Sequence, residues 1–392
     1  MARRKGASES DNERLIKPLL AWFKKAMRML PWREGAPGKR DAYRSLVSEA
    51  MLQQTQVSRV IDKFTAFVAR FPTVHSLAAA DEREVTALWA GLGYYRRARN
   101  LHNAATMIVE RFGGHVPRTV DELLELPGVG RYTAGAIASI AHNVVAPIVD
   151  GNVSRVLLRV EGRDVALDEQ AAWVWGRADE LATRAVENVG AFNEALMELG
   201  ATICTPGAQP ACNVCPWRGV CIARREGLQG QIPRPKVAKP SATLMHAALL
   251  LEDSHGRLLI ERRPAKGLWA GLWQTPTLEA TPETWSVVNA WLTNLARAGP
   301  LANLEIVKQF AFIRQLTHRR VIFEVWAADG GVAIKRKFAA KLVSEAIGPP
   351  GMFSIGAERV WAAREEALAL GVSNAQRMVL KQSARAEGTE DS

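Results

Sequence analysis

Two acidic residues stand where carboxylate chemistry is possible, Glu49 in SEAMLQQTQV and Asp150 in PIVDGNVSRV. Cleaving a glycosidic bond passes through an oxocarbenium-like sugar, so it needs an acid for the leaving group and an anion for the cation. Two carboxylates in unlike surroundings supply both. Glu49 lies in an apolar helical stretch between Leu46 and Leu52, where a desolvated carboxyl is pushed up and stays protonated. On the residues alone, Glu49 could also stand on a solvated helix face. Asp150, just ahead of Gly151 and Asn152, could form an Asx turn that caps the next helix.

All four cysteines fall in one loop with the spacing Cys204-x7-Cys212-x2-Cys215-x5-Cys221. Such a set can close a tetrahedral zinc site or hold a four-iron cluster. Only Cys212 and Cys215 are close in sequence, which tilts the reading from zinc, usually held by two tight pairs, towards iron and sulfur. A second candidate site is LPGVGRYTAGA, Leu126 to Ala136, whose glycines permit a tight turn before a helix. Backbone amides near Gly128 and Gly130 would then point at an anion such as a phosphate, although an ordinary helix–turn–helix connection fits the glycines as well.

The elements that must position these residues follow from periodicity. Apolar residues recur at helical spacing through the first half of the chain, as in Leu46, Val47, Ala50 and Met51 or Ala134, Ile137, Ala138 and Ala141, which predicts an all-α domain over 14–226. The stretch from 227 to 242 is rich in proline and basic residues and reads as a linker. Beyond it, Met245 to Leu251, Arg257 to Ile260 and Val321 to Ala327 read as strands, with helices near Thr284 to Ala296 and Ala357 to Leu370. A second, α+β domain over 243–371 is expected, followed by a disordered polar tail, 372–392.

The 392 residues exceed what one hydrophobic core usually supports. A formal net charge of +11 suits a polyanionic partner. No lysine occurs between Lys63 and Lys236, so arginine carries the positive charge of that whole stretch. The charged first residues hold no signal peptide, no run is long enough for a membrane helix, and clustered cysteines suit a reducing compartment. A cytoplasmic, nucleoid-associated location is expected.

On the MLQQTQ helix, the hairpin, the DGN segment and the cysteine loop, the chain resembles the adenine DNA glycosylases of the MutY family, part of the helix-hairpin-helix, endonuclease III superfamily. The resemblance implies a multidomain protein: an all-α helix-hairpin-helix glycosylase core with a four-cysteine iron–sulfur loop, plus an α+β Nudix-like C-terminal domain. It implies one [4Fe-4S] cluster on Cys204, Cys212, Cys215 and Cys221. The family's usual first spacer is one residue shorter, so a bulge is expected near Gly207.

The same resemblance assigns roles. Glu49 would protonate adenine N7, Asp150 would stabilise the sugar cation, and Asn152 would orient the aspartate and the attacking water. Tyr132 occupies the hairpin position where strand-cutting relatives carry a lysine. With no amine there for a Schiff base, excision without efficient lyase activity is expected. Gly128, Val129 and Gly130 would hold a DNA phosphate. Gln54 would be the wedge beside the vacated position and Tyr94 the intercalating tyrosine, with Thr55 and Leu92 in the same DNA-contacting set. Arg28, Leu30, Trp32, Leu52 and Glu194 would form the adenine pocket.

GLWAGLWQTP, Gly267 to Pro276, resembles the MutT-like domain of the family, but no REXXEE run follows it, which implies a recognition module without catalysis. Its candidate 8-oxoguanine reader is Leu316-Thr317-His318, where the family usually has Phe-Ser-His. The implied partner is duplex DNA with adenine opposite 8-oxoguanine or guanine, bound by a monomer. Two other readings share the scaffold: a thymine or uracil mismatch glycosylase, against which Glu49 argues, and a non-catalytic damage binder, against which both carboxylates argue.

Overall fold

Helices begin in this chain where short polar side chains can cap them. Asp41 accepts the Arg44 amide at 2.7 Å and opens α2, while Thr119 and Glu122 form a reciprocal capping box that opens α7. The computed structural model describes residues 9–166, 168–207, 209–234, 241–264, 266–298, 306–316, 319–328, 332–337, 339 and 358–386. It divides into two compact units, Met1–Leu88 with Arg97–Ala238, and Trp89–Arg96 with Lys239–Ser392.

The first unit is helical: α1 Glu9–Ala26, α2 Ala42–Leu52, α3 Val57–Arg70, α4 Val74–Ala78, α5 Glu82–Leu88, α6 Arg96–Phe112, α7 Val120–Leu124, α8 Arg131–His142, α9 Gly151–Val160, α10 Ala171–Arg184, α11 Val189–Thr202 and α12 Ile222–Arg225. Helix α8, buried from Thr133 to Ala141, is central and packs against α2, α7 and α11, while α11 also meets α1 and α9. The approach of α11 to α9 requires glycine, because a Cβ on Gly200 would lie 2.7 Å from the Asn152 Cβ. Part of the expected linker belongs to this unit. Ile232 is buried in the helical core, and Arg234 donates its amide to the Val165 carbonyl and pairs with Asp164 at 2.9 Å.

The second unit carries a four-stranded sheet in the order β4-β1-β6-β5 and a three-stranded antiparallel sheet, β3-β2-β7. Its strands are β1 Ala242–Leu250, β2 Leu258–Arg262, β3 Trp273–Gln274, β4 Thr277–Ala280, β5 Ile306–Gln315, β6 Arg319–Ala328 and β7 Arg359–Ala362. Strands β1 and β6 run parallel. Alternate residues of β1 serve two cores, Ala247 and Leu249 with α13 (Trp285–Ala298) on one side, Ala248 and Leu250 on the other.

Two expectations change here. The stretch read as one helix, Ala357 to Leu370, is instead β7, paired with β2, followed by the short helix Arg364–Ala369. The polar tail is not structureless from 372. A helix spans Asn374–Ala386 and fully buries Val379 and Leu380, each worth about 1.5–3 kcal/mol, which offsets the cost of ordering so polar a segment. Among the described residues no helix is long and apolar enough to cross a membrane.

Candidate active site

Helix α2 brings Glu49 inward because the residue shares a face with Ser45 and Leu46, four and three positions earlier, and all three are buried. Glu49 is 8% exposed. Burial pushes its carboxyl up to about 7, aided by the nearby charges of Asp150 and Glu194, against a hydrogen bond from Tyr132 and the charge of Arg33. Thus Glu49, Tyr132, Asp150 and Glu194, drawn from α2, α8, the start of α9 and α11, share one environment. The Tyr132 hydroxyl also lies 3.1 Å from Met197 Sδ, and burial followed by the Glu49 charge raises its pKa well above the usual phenol value.

Asp150 is the N-cap of α9, so the capping reading and the catalytic one describe the same side chain. Its Oδ1 accepts the Val153 amide at 2.7 Å and its Oδ2 accepts Asn152 Nδ2 at 3.1 Å, leaving the carboxylate fixed at the positive end of a helix. Asn152 Oδ1 in turn accepts Arg155 Nη2 at 2.9 Å. Arg155 also donates to the carbonyls of Gly200 and Cys204 at 2.7 and 2.8 Å. One face of α9 therefore runs from the carboxylate to the cysteine loop.

Beside Glu49 lies a buried ionic network that the sequence reading found only in part. Arg40 donates to both oxygens of Glu194, at 3.3 and 3.0 Å, and to the carbonyls of Arg33 and Gly35. Arg28 donates to Glu198 through Nε at 2.6 Å and Nη2 at 3.0 Å, and Arg33 Nη2 reaches the same carboxylate at 3.0 Å. Arg33, Arg40 and Glu198 were not expected. The signal for them was two carboxylates one turn apart in the apolar run FNEALMELGA, which must find partners if both are buried. Trp32 is 9% exposed and meets the Phe64 ring edge-on at 5.4 Å, while Leu30 and Leu52 are half-buried.

Helix α2 ends where Arg97 takes the carbonyls of Ala50 and Met51 at 2.9 and 2.8 Å and Thr55 Oγ1 at 3.0 Å. Gln54 follows with φ +56 and an exposed side chain. In the hairpin, Gly128 takes φ +80, and a Cβ there would lie 2.7 Å from the Asn100 Cβ. Gly130 caps α8 without a side-chain acceptor for its first amides, as an anion site needs. Val129 differs from expectation: its amide is spent on the Leu126 carbonyl at 3.1 Å and its side chain is buried, so it shapes the turn.

Tyr94 and Leu92 belong to the segment Trp89–Arg96, which is part of the second unit. Leu92 is buried, whereas Tyr94 is 50% exposed at φ +49. Neighbouring Tyr95 anchors the segment by donating to the Val372 carbonyl at 3.1 Å. Thr317 and His318 lie outside the described residues; Leu316 before them is partly buried on the core of the second unit.

The four cysteines are unpaired and half-buried. Each of Cys212, Cys215 and Cys221 feels the charge of other cysteines in the set, and burial with that repulsion pushes Cys215 up to about 12. Arg159 Nη1 stands 3.5 Å from Cys204 Sγ, and the Trp217 amide 3.4 Å from Cys215 Sγ. Gly207 has φ +95, which accommodates the longer first spacer, and its carbonyl accepts Arg159 Nη2 at 3.2 Å. Among the described residues, no three His, Cys, Asp or Glu side chains are gathered tightly enough to hold a metal ion as they stand.

The helical arrangement and the site define a base excision glycosylase of the helix-hairpin-helix class. Residues 47–172 match the HhH-GPD superfamily of base excision DNA repair proteins, and residues 247–382 match the NUDIX domain. The adenine DNA glycosylase of Homo sapiens is 36% identical, spanning 93% of this chain and 72% of that protein. That of Mycolicibacterium smegmatis is 45% identical, spanning 53% of this chain and 72% of that one. A solved thermostable thymine-DNA glycosylase is 27% identical, covering 55% of this chain and 98% of its own, with a TM-score of 0.49. The chain belongs to the adenine DNA glycosylase family.

Proposed function

We propose that this adenine DNA glycosylase acts on adenine opposite 8-oxoguanine or guanine in duplex DNA, and that it hydrolyses the N-glycosidic bond without cutting the strand. The observation that carries the reading is the pairing of Glu49, buried and held at about 7, with Asp150, fixed by two hydrogen bonds at a helix N-terminus. Protonated Glu49 supplies its proton to the leaving adenine at N7. Asp150 faces the developing sugar cation, and Asn152 holds both that carboxylate and the attacking water in line. Water adds to the sugar carbon, its proton leaves to a carboxylate, and the product is an abasic site on an intact strand.

The hairpin position carries Tyr132, and no lysine occurs from Phe64 to Pro235, so no amine stands ready for a Schiff base. Gly128 and Gly130 present the phosphate-binding turn. Gln54 and Tyr94 occupy opposite strands' gaps as wedge and intercalator, consistent with their left-handed backbone and exposed side chains. Thr317 and His318 read the oxidised guanine. The protein works as a monomer in the cytoplasm.

Four thiols on one loop, with guanidinium and amide N–H groups aimed at sulfur, fit a [4Fe-4S] cluster held by Cys204, Cys212, Cys215 and Cys221. Such a group would brace the loop against α9. The deciding experiment is single-turnover cleavage of an adenine:8-oxoguanine duplex, with and without alkali, beside a thymine:guanine duplex. Breaks only after alkali and only in the adenine duplex support the reading. Loss of thymine with adenine untouched would overturn it.

A further inference from the structure

Two buried arginines, Arg33 and Arg40, and the half-buried Arg28 pair with two buried glutamates beside Glu49, and one carboxylate among them has no direct part in its environment. Glu198 is completely buried, yet the groups that face Glu49 are Tyr132 from α8, Asp150 before α9, Arg33 from the loop ahead of α2, and Glu194 from α11. Glu198 lies one turn beyond Glu194, and its oxygens are occupied by Arg28 and Arg33. The Arg28 backbone amide adds a further bond at 3.3 Å. Arg40 is committed elsewhere, to both oxygens of Glu194.

Arg33 is the shared member. Its Nη2 is 3.0 Å from Glu198, its Nε 3.7 Å from Glu194, and its Nη1 3.3 Å from the Arg28 carbonyl. With its side chain 8% exposed, this guanidinium cannot retreat into water. If Glu198 loses its charge, Arg33 must seek another carboxylate, and the two in its surroundings are Glu194, already doubly bonded by Arg40, and Glu49.

We propose that Glu198 is a positioning residue for excision: it holds Arg28 and Arg33 on its own carboxylate, and so keeps Arg33 from drawing Glu49 into an ion pair that would strip it of its proton. The proposal rests on the reading of Glu49 as the acid. Arg33 already acts to lower Glu49 from its present position, so a closer approach strengthens an existing effect.

The test is the pH profile of single-turnover excision from an adenine:8-oxoguanine duplex. For E198Q the alkaline limb should move to lower pH by roughly one unit, cutting the rate about fivefold at about pH 7 and about tenfold at more alkaline pH, while leaving the rate near pH 5 almost unchanged. Adding R33M to E198Q should send the limb back to higher pH, because the mobile guanidinium is gone. E198D keeps the charge but cannot span both arginines, and should give an intermediate shift if E198Q does not fold. A uniform rate loss with an unmoved limb in E198Q, or in E198D alone, would overturn the proposal. E49Q separates the two readings. A limb abolished by E49Q but unmoved by the Glu198 variants sinks only the positioning role, whereas a limb that survives E49Q sinks both.

Discussion

The substitution E49Q should inactivate the enzyme and stabilise it, with the gain growing as pH rises. Glu49 is buried and its carboxyl is raised from 4.5 to about 7. A carboxyl raised on folding favours the native state while protonated, so its contribution is intact below the unfolded value and is lost as pH climbs through about 7. The shift corresponds to a ceiling of about 3 kcal/mol well above neutrality. Glutamine has nearly the same shape and no charge to desolvate. In the helical unit this amounts to a melting temperature higher than wild type by up to roughly 6–12 °C near pH 9, with little difference near pH 5. Excision should fall by about 10²–10⁴ while duplex binding survives, because only the proton donor is lost. Paired thermal melts of wild type and E49Q across that range provide the assay. A stability difference that does not change with pH would show that Glu49 is not held protonated by burial, and the acid assignment would lose its physical basis.

Three further predictions address the neighbours of Glu49 and the hairpin. Y132F removes a hydrogen bond that favours the charged form of Glu49, so the alkaline limb of single-turnover excision should move to higher pH, the opposite of E198Q. D150N should keep the cap on α9, since asparagine also accepts the Val153 amide, and cost less than about 1 kcal/mol in denaturant unfolding; it should slow excision by about 10²–10³. G128A forces a Cβ into φ +80 against the Asn100 Cβ, which should cost about 1–3 kcal/mol in the same unfolding assay and flatten the salt dependence of duplex binding.

The chemistry was more legible than its support. The four cysteines stand out by their spacing, whereas Glu49, Asp150 and the hairpin glycines each have an ordinary structural reading on the residues alone, which only the family resemblance outweighs. The partners that tune them are remote in sequence: Glu198 lies 170 residues from Arg28, and Glu194 lies 154 from Arg40. No local pattern links such pairs. In the second unit, β5 escaped notice because IVKQFAFIRQ alternates too weakly, being an edge strand with one neighbour. The stretch Ala357 to Leu370 misled because RVWA carries no turn residue before REEALA, so two short elements read as one helix. The final helix is hidden by its polar composition; a buried stripe with Ala375, Val379 and Leu380 ties it to the core, and buried Gln376 accepts the Thr275 amide at 3.2 Å.

The arrangement around Glu49 also explains how a buried ionic network is tolerated beside a group that the proposed mechanism requires to stay neutral. Two glutamates and three arginines leave one net positive charge near Glu49, which by itself would favour the carboxylate. Desolvation is nevertheless the largest influence on Glu49 and wins, because the arginines are turned towards Glu194 and Glu198. A desolvated acid surrounded only by apolar side chains would be protonated but could not discriminate a polar base. An open polar pocket would discriminate but would ionise the acid. Tying the cations to their own carboxylates meets both demands, since the pocket keeps directed donors while the field at Glu49 stays weak. The orientation of Arg33, and not the number of charges, is therefore the quantity on which the proposed acid depends.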